Sequence, residues 1–254
     1  SPIIIGYAFS KILTTDKPQP LSLEDAALVF EGRVYPSIAE ISDAEVAAKQ
    51  IQKNREDGLK NLIKETEGNF SFAVAEHKRL IAGRDAMGVR PLYCGENTNF
   101  AALASERKAL WKVGIEKVNS FPPGQMAIVD RNGFKFKSIK TLDYSKQKQI
   151  TMQAAARELR TFLEESIKER VSGLKEVAVA FSGGLDSSII AFLAKKSKMD
   201  VHLIYVSLKN QPETEHAKKA AEELKLPIYI HLYKEEDVEK TLQKVLWLIE
   251  EPDP

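Results

Sequence analysis

The sequence predicts two successive domains, an α+β domain built on antiparallel sheets and then an α/β domain with a doubly wound parallel sheet. Three observations lead to this prediction. With 254 residues, 43% of them hydrophobic, the chain is long enough for two modest cores. The first 140 residues or so contain short strand-like stretches separated by glycine and proline, whereas short apolar strands alternate with helices after residue 150.

In the first part, one long helical pattern interrupts the strands. It covers Asp43 to Gly58, with Ser42 placed to cap it and Glu45 three residues further on, as in a capping box. A second helix is expected over Leu59 to Glu65. The predicted strands are Ile3 to Ala8, Ala26 to Phe30, Phe70 to Glu76, Arg79 to Arg84, Phe100 to Ala104 and Gln125 to Asp130. This order predicts a sandwich of antiparallel sheets flanked by helices.

Residues Thr141 to Ile150 are polar and lysine-rich and predict a linker. An amphipathic helix follows over Thr151 to Ser172, whose apolar stripe includes Leu159, Phe162 and Ile167. The alternating elements after it are Val177 to Phe181, Ser187 to Lys196, Val201 to Ser207, Glu213 to Leu224, Ile228 to Leu232 and Val238 to Glu250. We therefore place the domains at 1–143 and 151–254.

Composition excludes several classes of protein. Lysine and arginine total 37 against 36 acidic residues, so no overall positive field attracts nucleic acid or an anionic membrane. No apolar run is long enough to cross a bilayer. The single cysteine, Cys94, excludes a disulfide framework and favours a reducing, cytoplasmic setting.

The strongest local signal is the segment from Glu176 to Ser188, in which a buried strand ends in Ser182-Gly183-Gly184 and a helix begins near Asp186. Paired glycines let successive N–H groups face one point, and a helix N-terminus adds further donors and the positive end of its dipole. The hydroxyls of Ser182, Ser187 and Ser188 lie in the same stretch. This pattern predicts a phosphate site, with Asp186 available to hold Mg²⁺.

An ordinary tight turn followed by a helix cap is the alternative interpretation. The segment is not a Walker loop, because no Gly-Lys-Ser/Thr follows, nor a dinucleotide-binding Gly-x-Gly-x-x-Gly. Ser182 to Ser188 resembles instead the loop of the N-type ATP pyrophosphatases, which cleave ATP between the α and β phosphates. That resemblance implies that the loop binds pyrophosphate, that Asp186 binds magnesium, and that backbone near Phe181, Val206 and Ser207 holds adenine.

The first part resembles the class II glutamine amidotransferase domain of the asparagine synthetase family, which has the fold of N-terminal-nucleophile hydrolases. The resemblance rests on Leu80 to Tyr93, Leu103 to Leu110 and Phe121 to Gly124. Within these segments, we interpret Arg84-Asp85 and Ser105-Glu106 as buried ion-pair and turn residues that hold the sheets together. Cys94 is interpreted as a packed core thiol.

The residues that glutamine hydrolysis needs are mostly replaced. Aligned on Gly6, the family's cysteine nucleophile falls at Pro2, which has neither a thiol nor a primary amine. The family's Asn-Gly-Glu segment falls on Glu31-Gly32-Arg33, where a carboxylate replaces an amide donor at the oxyanion. Asp43 matches the aspartate that holds the glutamine amine. We therefore expect glutaminase activity to be absent or vestigial, although Ser1 is an alternative nucleophile.

The resemblance implies an ATP- and Mg²⁺-dependent ligase that adenylates a small carboxylate, aspartate in the family, and uses ammonia rather than glutamine. A homodimer is the oligomeric state that it suggests. Two alternatives stay open, a catalytically decayed nucleotide-binding regulatory or scaffolding protein and an enzyme like the β-lactam synthetases. The family's further acidic magnesium and acceptor segment lies past Pro254. The sequence is therefore expected to be either a fragment or a protein unable to bind aspartate in the family's way.

The histidines His77, His202, His216 and His231 lack the spacing of metal ligands, and no role is predicted for them.

Overall fold

A computed structural model describes residues 2–38, 40–53, 55–142 and 149–250 of the chain. The chain forms two compact units, Ser1–Gln147 and Lys148–Pro254. Most of the predicted linker, residues 143–148, lies outside the described residues.

The first unit contains two antiparallel sheets. A six-stranded sheet has the order β1-β2-β3-β4-β8-β9, and a three-stranded sheet has the order β6-β5-β7. The strands are β1 Leu21–Leu23, β2 Ala26–Tyr35, β3 Glu67–Ala75, β4 Leu80–Arg84, β5 Tyr93–Glu96, β6 Ala101–Ala104, β7 Asn119–Ser120, β8 Gln125–Asp130 and β9 Gly133–Ser138. The helices are α1 Asp43–Lys53, α2 Arg55–Glu65 and α3 Arg107–Lys112. The predicted antiparallel class of this domain is confirmed.

The six-stranded sheet packs on both faces because its side chains alternate. Ile81 and Met126 belong to a core with α1 and α2, whereas their neighbours Ala82 and Ala127 belong to a core with the small sheet. Helices, large sheet and small sheet therefore form three layers. The core between the large sheet and helices α1 and α2 contains these buried residues: Leu28, Phe30, Ile51, Leu59, Leu62, Phe70 and Val74.

Two of the predictions for this unit are wrong, and β1, β5, β7, β9 and α3 were not predicted. Ile3 to Ala8 is not a strand, although Ile3, Ile5 and Tyr7 are half-buried and Ile4 is exposed. A run of β-branched residues favours extended backbone, but a ladder also requires a partner strand.

The second difference is the boundary between the two helices. Gly58 does not end the first helix but lies inside α2, where an added Cβ would come 2.9 Å from the Cα of Ile51. The glycine therefore allows close contact between α1 and α2.

The second unit contains a parallel sheet of three strands in the order β10-β11-β12. Its elements are α4 Met152–Val171, β10 Glu176–Ala180, α5 Leu185–Lys196, β11 Asp200–Leu208, α6 Glu213–Leu224, β12 Ile228–Tyr233 and α7 Glu235–Ile249. The predicted α/β class is confirmed. The side chain of Thr151 caps α4 as expected, accepting a hydrogen bond from the N–H of Ala154 at 3.3 Å.

Helices α5 and α6 pack against one face of this sheet, where Val179, Leu203 and Tyr205 are buried with Ala191 and Ala217. On the opposite face the side chains of Ile204, Val206 and Tyr229 are exposed in the described part of the chain. Leu159 and Phe162 of α4, predicted to face a core, are also exposed, whereas Ile167 packs against the sheet core.

Candidate functional site

The predicted phosphate loop joins the end of β10 to the start of α5. Phe181 continues the β10–β11 pairing, since its N–H donates to the carbonyl of Ile204 at 2.9 Å, and its side chain is buried. Residues Ser182 to Gly184 then cross to α5, which begins at Leu185. The buried strand and the following helix thus hold both ends of the loop.

Hydrogen bonds within the loop form a closed ring. The N–H of Gly184 donates to Ser182 Oγ at 3.2 Å, and the Oγ atoms of Ser182 and Ser187 are 3.2 Å apart. The hydroxyl of Ser187 donates to the carbonyl of Gly184, also at 3.2 Å, and accepts the N–H of Ser182 at 3.3 Å. These bonds fix the shape of the loop and engage its hydroxyl and N–H groups with one another.

Gly183 is required by both its conformation and its surroundings. Its φ is +78°, in the left-handed region that favours glycine, and an added Cβ would lie 2.8 Å from the Cα of Ala217 in α6. The loop can take this path only because α6 meets a residue without a side chain.

The N-terminus of α5 has backbone donors without an acceptor among the described residues. Gly184 is the N-cap and has no side chain to cap the helix, and no described residue accepts from the N–H groups of Leu185 and Asp186. Free N–H groups at a helix start are the kind of donors that bind anions. The carboxylate of Asp186, predicted to hold Mg²⁺, is exposed in the first turn of α5. Ser188, one residue beyond Ser187, donates its N–H to the carbonyl of Gly184 at 3.1 Å.

The predicted adenine-binding positions lie at the same edge of the sheet. Val206 and Ser207 are close to the end of β11, which is adjacent to β10 in the sheet. Val206 is 56% exposed and Ser207 is half-buried, so both are accessible. The structure thus brings Phe181, the loop and these two residues to the carboxyl ends of neighbouring parallel strands, where α/β folds bind ligands.

One residue that the sequence prediction set aside contacts the loop directly. The Nε2 atom of His216, in the first turns of α6, is 3.1 Å from the carbonyl oxygen of Gly183. The two residues are separated by 33 positions in the chain. Histidine spacing alone gave no signal of this contact, which depends on how α6 packs below the loop.

His202 lies away from the loop, at the start of β11. Its Nε2 is 3.6 Å from a carboxylate oxygen of Asp200 and 3.8 Å from one of Glu176. The alternation of β11 and its register with β10 place all three side chains on one face. Both carboxylates are at least 70% exposed, and exposed acidic side chains often lie near one another without a metal, so we assign this group none.

In the first unit, the predicted glutamine-site residue Asp43 is engaged by Arg33. Nη1 of Arg33 is 2.9 Å from Oδ2 of Asp43 and 3.1 Å from Oδ1 of Asp16. Oδ1 of Asp43 accepts the N–H of Val34 at 3.0 Å. Burial lowers the pKa of Arg33, but the two carboxylates outweigh it and raise that pKa. The guanidinium of Arg33 is therefore already paired with Asp43, the carboxylate predicted to hold a substrate amine.

Pro2 and Glu31 line one cavity of about 740 Å³ in the first unit, together with Gly6 and Ser71. Glu31 and its neighbour Gly32 lie in β2, and Gly32 has a φ of +133° beside the backbone of Asn69. Pro2 is exposed. The cavity therefore has a proline where the nucleophile is expected and a carboxylate where the oxyanion donor is expected.

Arg84 and Asp85 are buried and hold backbone in place. Arg84 donates to the carbonyls of Arg90 and Phe121, at 2.7 and 2.8 Å. Asp85 accepts N–H groups from Phe70 at 3.0 Å and from Met87 and Gly88 at 2.8 Å.

Cys94 is buried in the core between the two sheets, and this burial raises the pKa of its thiol, with Glu96 adding to the effect. Such a thiol is a poor nucleophile. Within the described residues, no helix combines the length and the apolar character that crossing a membrane requires.

Two family models match successive parts of the chain. The model described as a glutamine amidotransferase domain matches residues 8–112, and that described as asparagine synthase matches residues 158–254. These matches cover the two units in the order that the sequence resemblance implies.

Full-length relatives share both parts. A putative glutamine-hydrolysing asparagine synthetase from Methanocaldococcus jannaschii is 30% identical over 264 residues, covering 92% of this chain and 48% of the relative. The human glutamine-hydrolysing asparagine synthetase is 25% identical, covering 77% of this chain and 40% of the relative. The chain thus spans about half the length of the curated relatives it matches.

Among solved structures, the glutamine phosphoribosylpyrophosphate amidotransferase of B. subtilis, complexed with ADP and GMP, aligns with a TM-score of 0.43 at 19% identity. The alignment covers 84% of this chain and 48% of that one. The matched domains, their order and the full-length relatives together show that the chain belongs to the asparagine synthetase family.

Proposed function

We propose that this chain provides the nucleotide site of an ATP-dependent amide-forming ligase. A carboxylate oxygen attacks the α phosphorus of ATP, giving an acyl-adenylate and pyrophosphate. Ammonia then attacks the acyl carbon, the bond to AMP breaks, and the amide and AMP leave with loss of a proton. The observation that carries the proposal is the hydrogen-bonded loop of Ser182, Gly184 and Ser187 at the start of α5, where the N–H groups of Leu185 and Asp186 have no acceptor among the described residues.

Each site residue has a role in this proposal. The loop and the start of α5, with Ser182, Gly183, Gly184, Ser187 and Ser188, hold the phosphates, and donors placed in advance stabilise the charge that develops at phosphorus. Backbone at Phe181, Val206 and Ser207 holds adenosine. Asp186 is the magnesium ligand, and bound Mg²⁺ supplies neutralisation of phosphate charge.

Ammonia, rather than glutamine, is the proposed nitrogen source. Pro2 supplies neither a thiol nor a primary amine, and Glu31 would repel a developing oxyanion. The ion pair between Arg33 and Asp43 adds a third reason, because a glutamine ammonium group would have to displace a guanidinium already bound at 2.9 Å. In this interpretation residues 1–143 are a glutaminase-like domain without its activity.

Further features follow from the family alone. The acceptor is proposed to be aspartate, since the relatives are asparagine synthetases. A cytoplasmic homodimer without nucleic-acid or membrane partners is proposed, with residues 151–254 as the pyrophosphatase domain. The exposed apolar face of its sheet supports the doubly wound arrangement, in which that face is covered as well.

Calorimetric titration of ATP with Mg²⁺ tests the nucleotide site. We expect binding in the micromolar range that Asp186→Ala and Ser182→Ala each weaken about tenfold or more, consistent with loss of a charge-assisted contact. Asp200→Ala, which removes an exposed carboxylate at the opposite end of the sheet strands, is the matched control and should bind as the wild type. Absence of binding by the wild type would contradict the proposal.

Pyrophosphate release tests the chemistry. With ATP, Mg²⁺ and aspartate, release should depend on ammonia and should not be supported by glutamine. If ATP binds but no carboxylate triggers release, the chain is instead a nucleotide-binding regulatory protein. The replacements proposed at the glutaminase site support this second candidate, because Pro2 and Glu31 lack the groups that glutamine hydrolysis requires.

A further inference from the structure

The peptide group between Gly183 and Gly184 determines which backbone atoms face a ligand in the loop. In a trans peptide the carbonyl and the following N–H point in opposite directions. The carbonyl of Gly183 points to α6, where His216 Nε2 lies at 3.1 Å, and the N–H of Gly184 points to Ser182 Oγ at 3.2 Å. This orientation presents an N–H donor, not a carbonyl, to the loop interior.

Two adjacent glycines do not hold this orientation by themselves. Glycine populates positive and negative φ about equally, so a Gly-Gly peptide can rotate at low cost. Rotation by half a turn would aim the oxygen of Gly183 at the bound phosphates and remove the N–H of Gly184. A carbonyl dipole pointed at an anion opposes the stabilisation that the loop provides.

We propose that His216 is a positioning residue of the phosphate site, which holds the Gly183–Gly184 peptide in its donor-presenting orientation. This inference rests on the proposed nucleotide function of the loop. Because a carbonyl oxygen can only accept, Nε2 carries the proton in this contact.

The loop packs against both the backbone of α6 and the His216 ring. An added Cβ at Gly183 would lie 2.8 Å from the Cα of Ala217 and 3.2 Å from Cδ2 of His216. A variant that keeps an aromatic ring at position 216 preserves this packing and removes only the hydrogen-bond donor. Removing the imidazole donor should therefore leave the fold intact while releasing the peptide. If His216 served packing alone, its replacement would lower the free energy of unfolding but would not change the orientation of the Gly183–Gly184 peptide.

The variants His216→Phe and His216→Gln separate these possibilities. Phenylalanine keeps most of the ring volume without a donor, whereas the amide nitrogen of glutamine can reach the position of Nε2. We expect His216→Phe to weaken binding of ATP with Mg²⁺ about tenfold, as for the loss of one oriented donor, and His216→Gln to restore most of the affinity. His77→Phe, at an exposed residue between β3 and β4 of the first unit, is the control and should bind as the wild type.

Hydrogen exchange of the Gly184 amide, followed by NMR, tests the inference without ATP. The amide should exchange faster in His216→Phe than in the wild type and in His216→Gln, while the thermal unfolding temperatures of the two variants change alike. Unchanged exchange and ATP affinity in His216→Phe would overturn the role of His216 and leave the nucleotide site standing. Faster exchange in a protein whose wild type does not bind ATP would support the positioning role and reject the proposed function.

Discussion

At the scale of single residues, Gly183 combines a φ of +78° with close contact to α6. We predict that Gly183→Ala weakens ATP binding at least about tenfold and destabilises the chain by about 2–3 kcal/mol, because a Cβ adds both a strained φ and a clash with the backbone of Ala217. Urea unfolding and calorimetric titration measure the two effects.

The control for this prediction is Gly114→Ala. Gly114 has a φ of +83°, but nothing lies within 4 Å of an added Cβ. The Gly114→Ala variant should lower the free energy of unfolding by about 1 kcal/mol, because an alanine is strained in the left-handed conformation. It should leave ATP affinity unchanged. Equal effects of the two variants would mean that contact with α6 contributes nothing.

Arg33 joins two acidic residues from different parts of the first unit. Its side chain is 19% exposed, and those of Asp16 and Asp43 are 16% and 10% exposed. Arg33→Met should destabilise the unit by about 2–4 kcal/mol, because two poorly solvated carboxylates lose their partner. Chemical denaturation measures the loss.

The control is Lys64→Met, which breaks a pair with Glu65 whose side chains are 63% and 62% exposed, and which should cost less than about 1 kcal/mol. If the Arg33 and Lys64 variants unfold at the same denaturant concentration, the Arg33 cluster contributes no more than a surface pair.

At the scale of secondary structure, the start of α1 is a capping box as predicted. The N–H of Glu45 donates to Ser42 Oγ at 3.3 Å, and the N–H of Ser42 donates to the Glu45 carboxylate at 3.0 Å. Ser42→Ala should lower the free energy of unfolding by about 1 kcal/mol, the usual cost of losing a cap. A loss below the error of urea unfolding would show that tertiary packing alone holds this helix end.

The Glu45 carboxylate should also make the free energy of unfolding depend on pH. The hydrogen bond from Lys17, with one from the N–H of Ser42, lowers its pKa from 4.5 to about 2. A lowered folded-state pKa contributes stability above about pH 4.5, which is lost as the pH falls towards about 2.

Glu45→Gln removes this titration. The free energy of unfolding should therefore fall less between about pH 5 and pH 3 in the variant than in the wild type. Urea unfolding at the two pH values measures the difference, which added salt should reduce because the side chain of Lys17 is 55% exposed. Parallel pH curves would contradict the assignment.

At the scale of the whole molecule, the second unit exposes an unusual amount of apolar surface. Tyr229 on the open sheet face is 55% exposed and Leu248 of α7 is 59% exposed. Other large apolar residues of α7 share this exposure: Val238, Leu242, Val245, Leu246, Trp247 and Ile249. A helix apolar on several sides belongs in a larger core or interface.

We therefore predict concentration-dependent self-association of the 254-residue chain and strong binding of an apolar dye. Tyr229→Lys and Leu248→Lys should each reduce association in sedimentation velocity, because a charge opposes burial of the surface. Met87→Lys, at a residue of the first unit that is 63% exposed, is the control and should have no effect. A monomer at all concentrations would contradict the prediction.

The local predictions were confirmed where local chemistry is sufficient. The cap at Ser42, the helix after Thr151 and the strand, loop and helix around Ser182 all follow from patterns within a few residues. The predicted strand at Ile3 to Ala8 and the helix boundary at Gly58 were wrong. Each depends on a partner elsewhere in the chain, a paired strand in one case and a facing helix in the other.

By itself, the sequence determined the two fold classes, the strand, glycine-containing loop and helix around Ser182, and the presence of proline at position 2. Periodicity, capping and glycine content act over a few residues and can be recognised without a structure. Only the tertiary structure decided that Arg33 pairs with Asp43, that His216 contacts the carbonyl of Gly183, and that helices α5 and α6 cover one sheet face while side chains on the other are exposed in the described residues. These depend on contacts between residues distant in the chain, whose free energies are set by packing that no local pattern records.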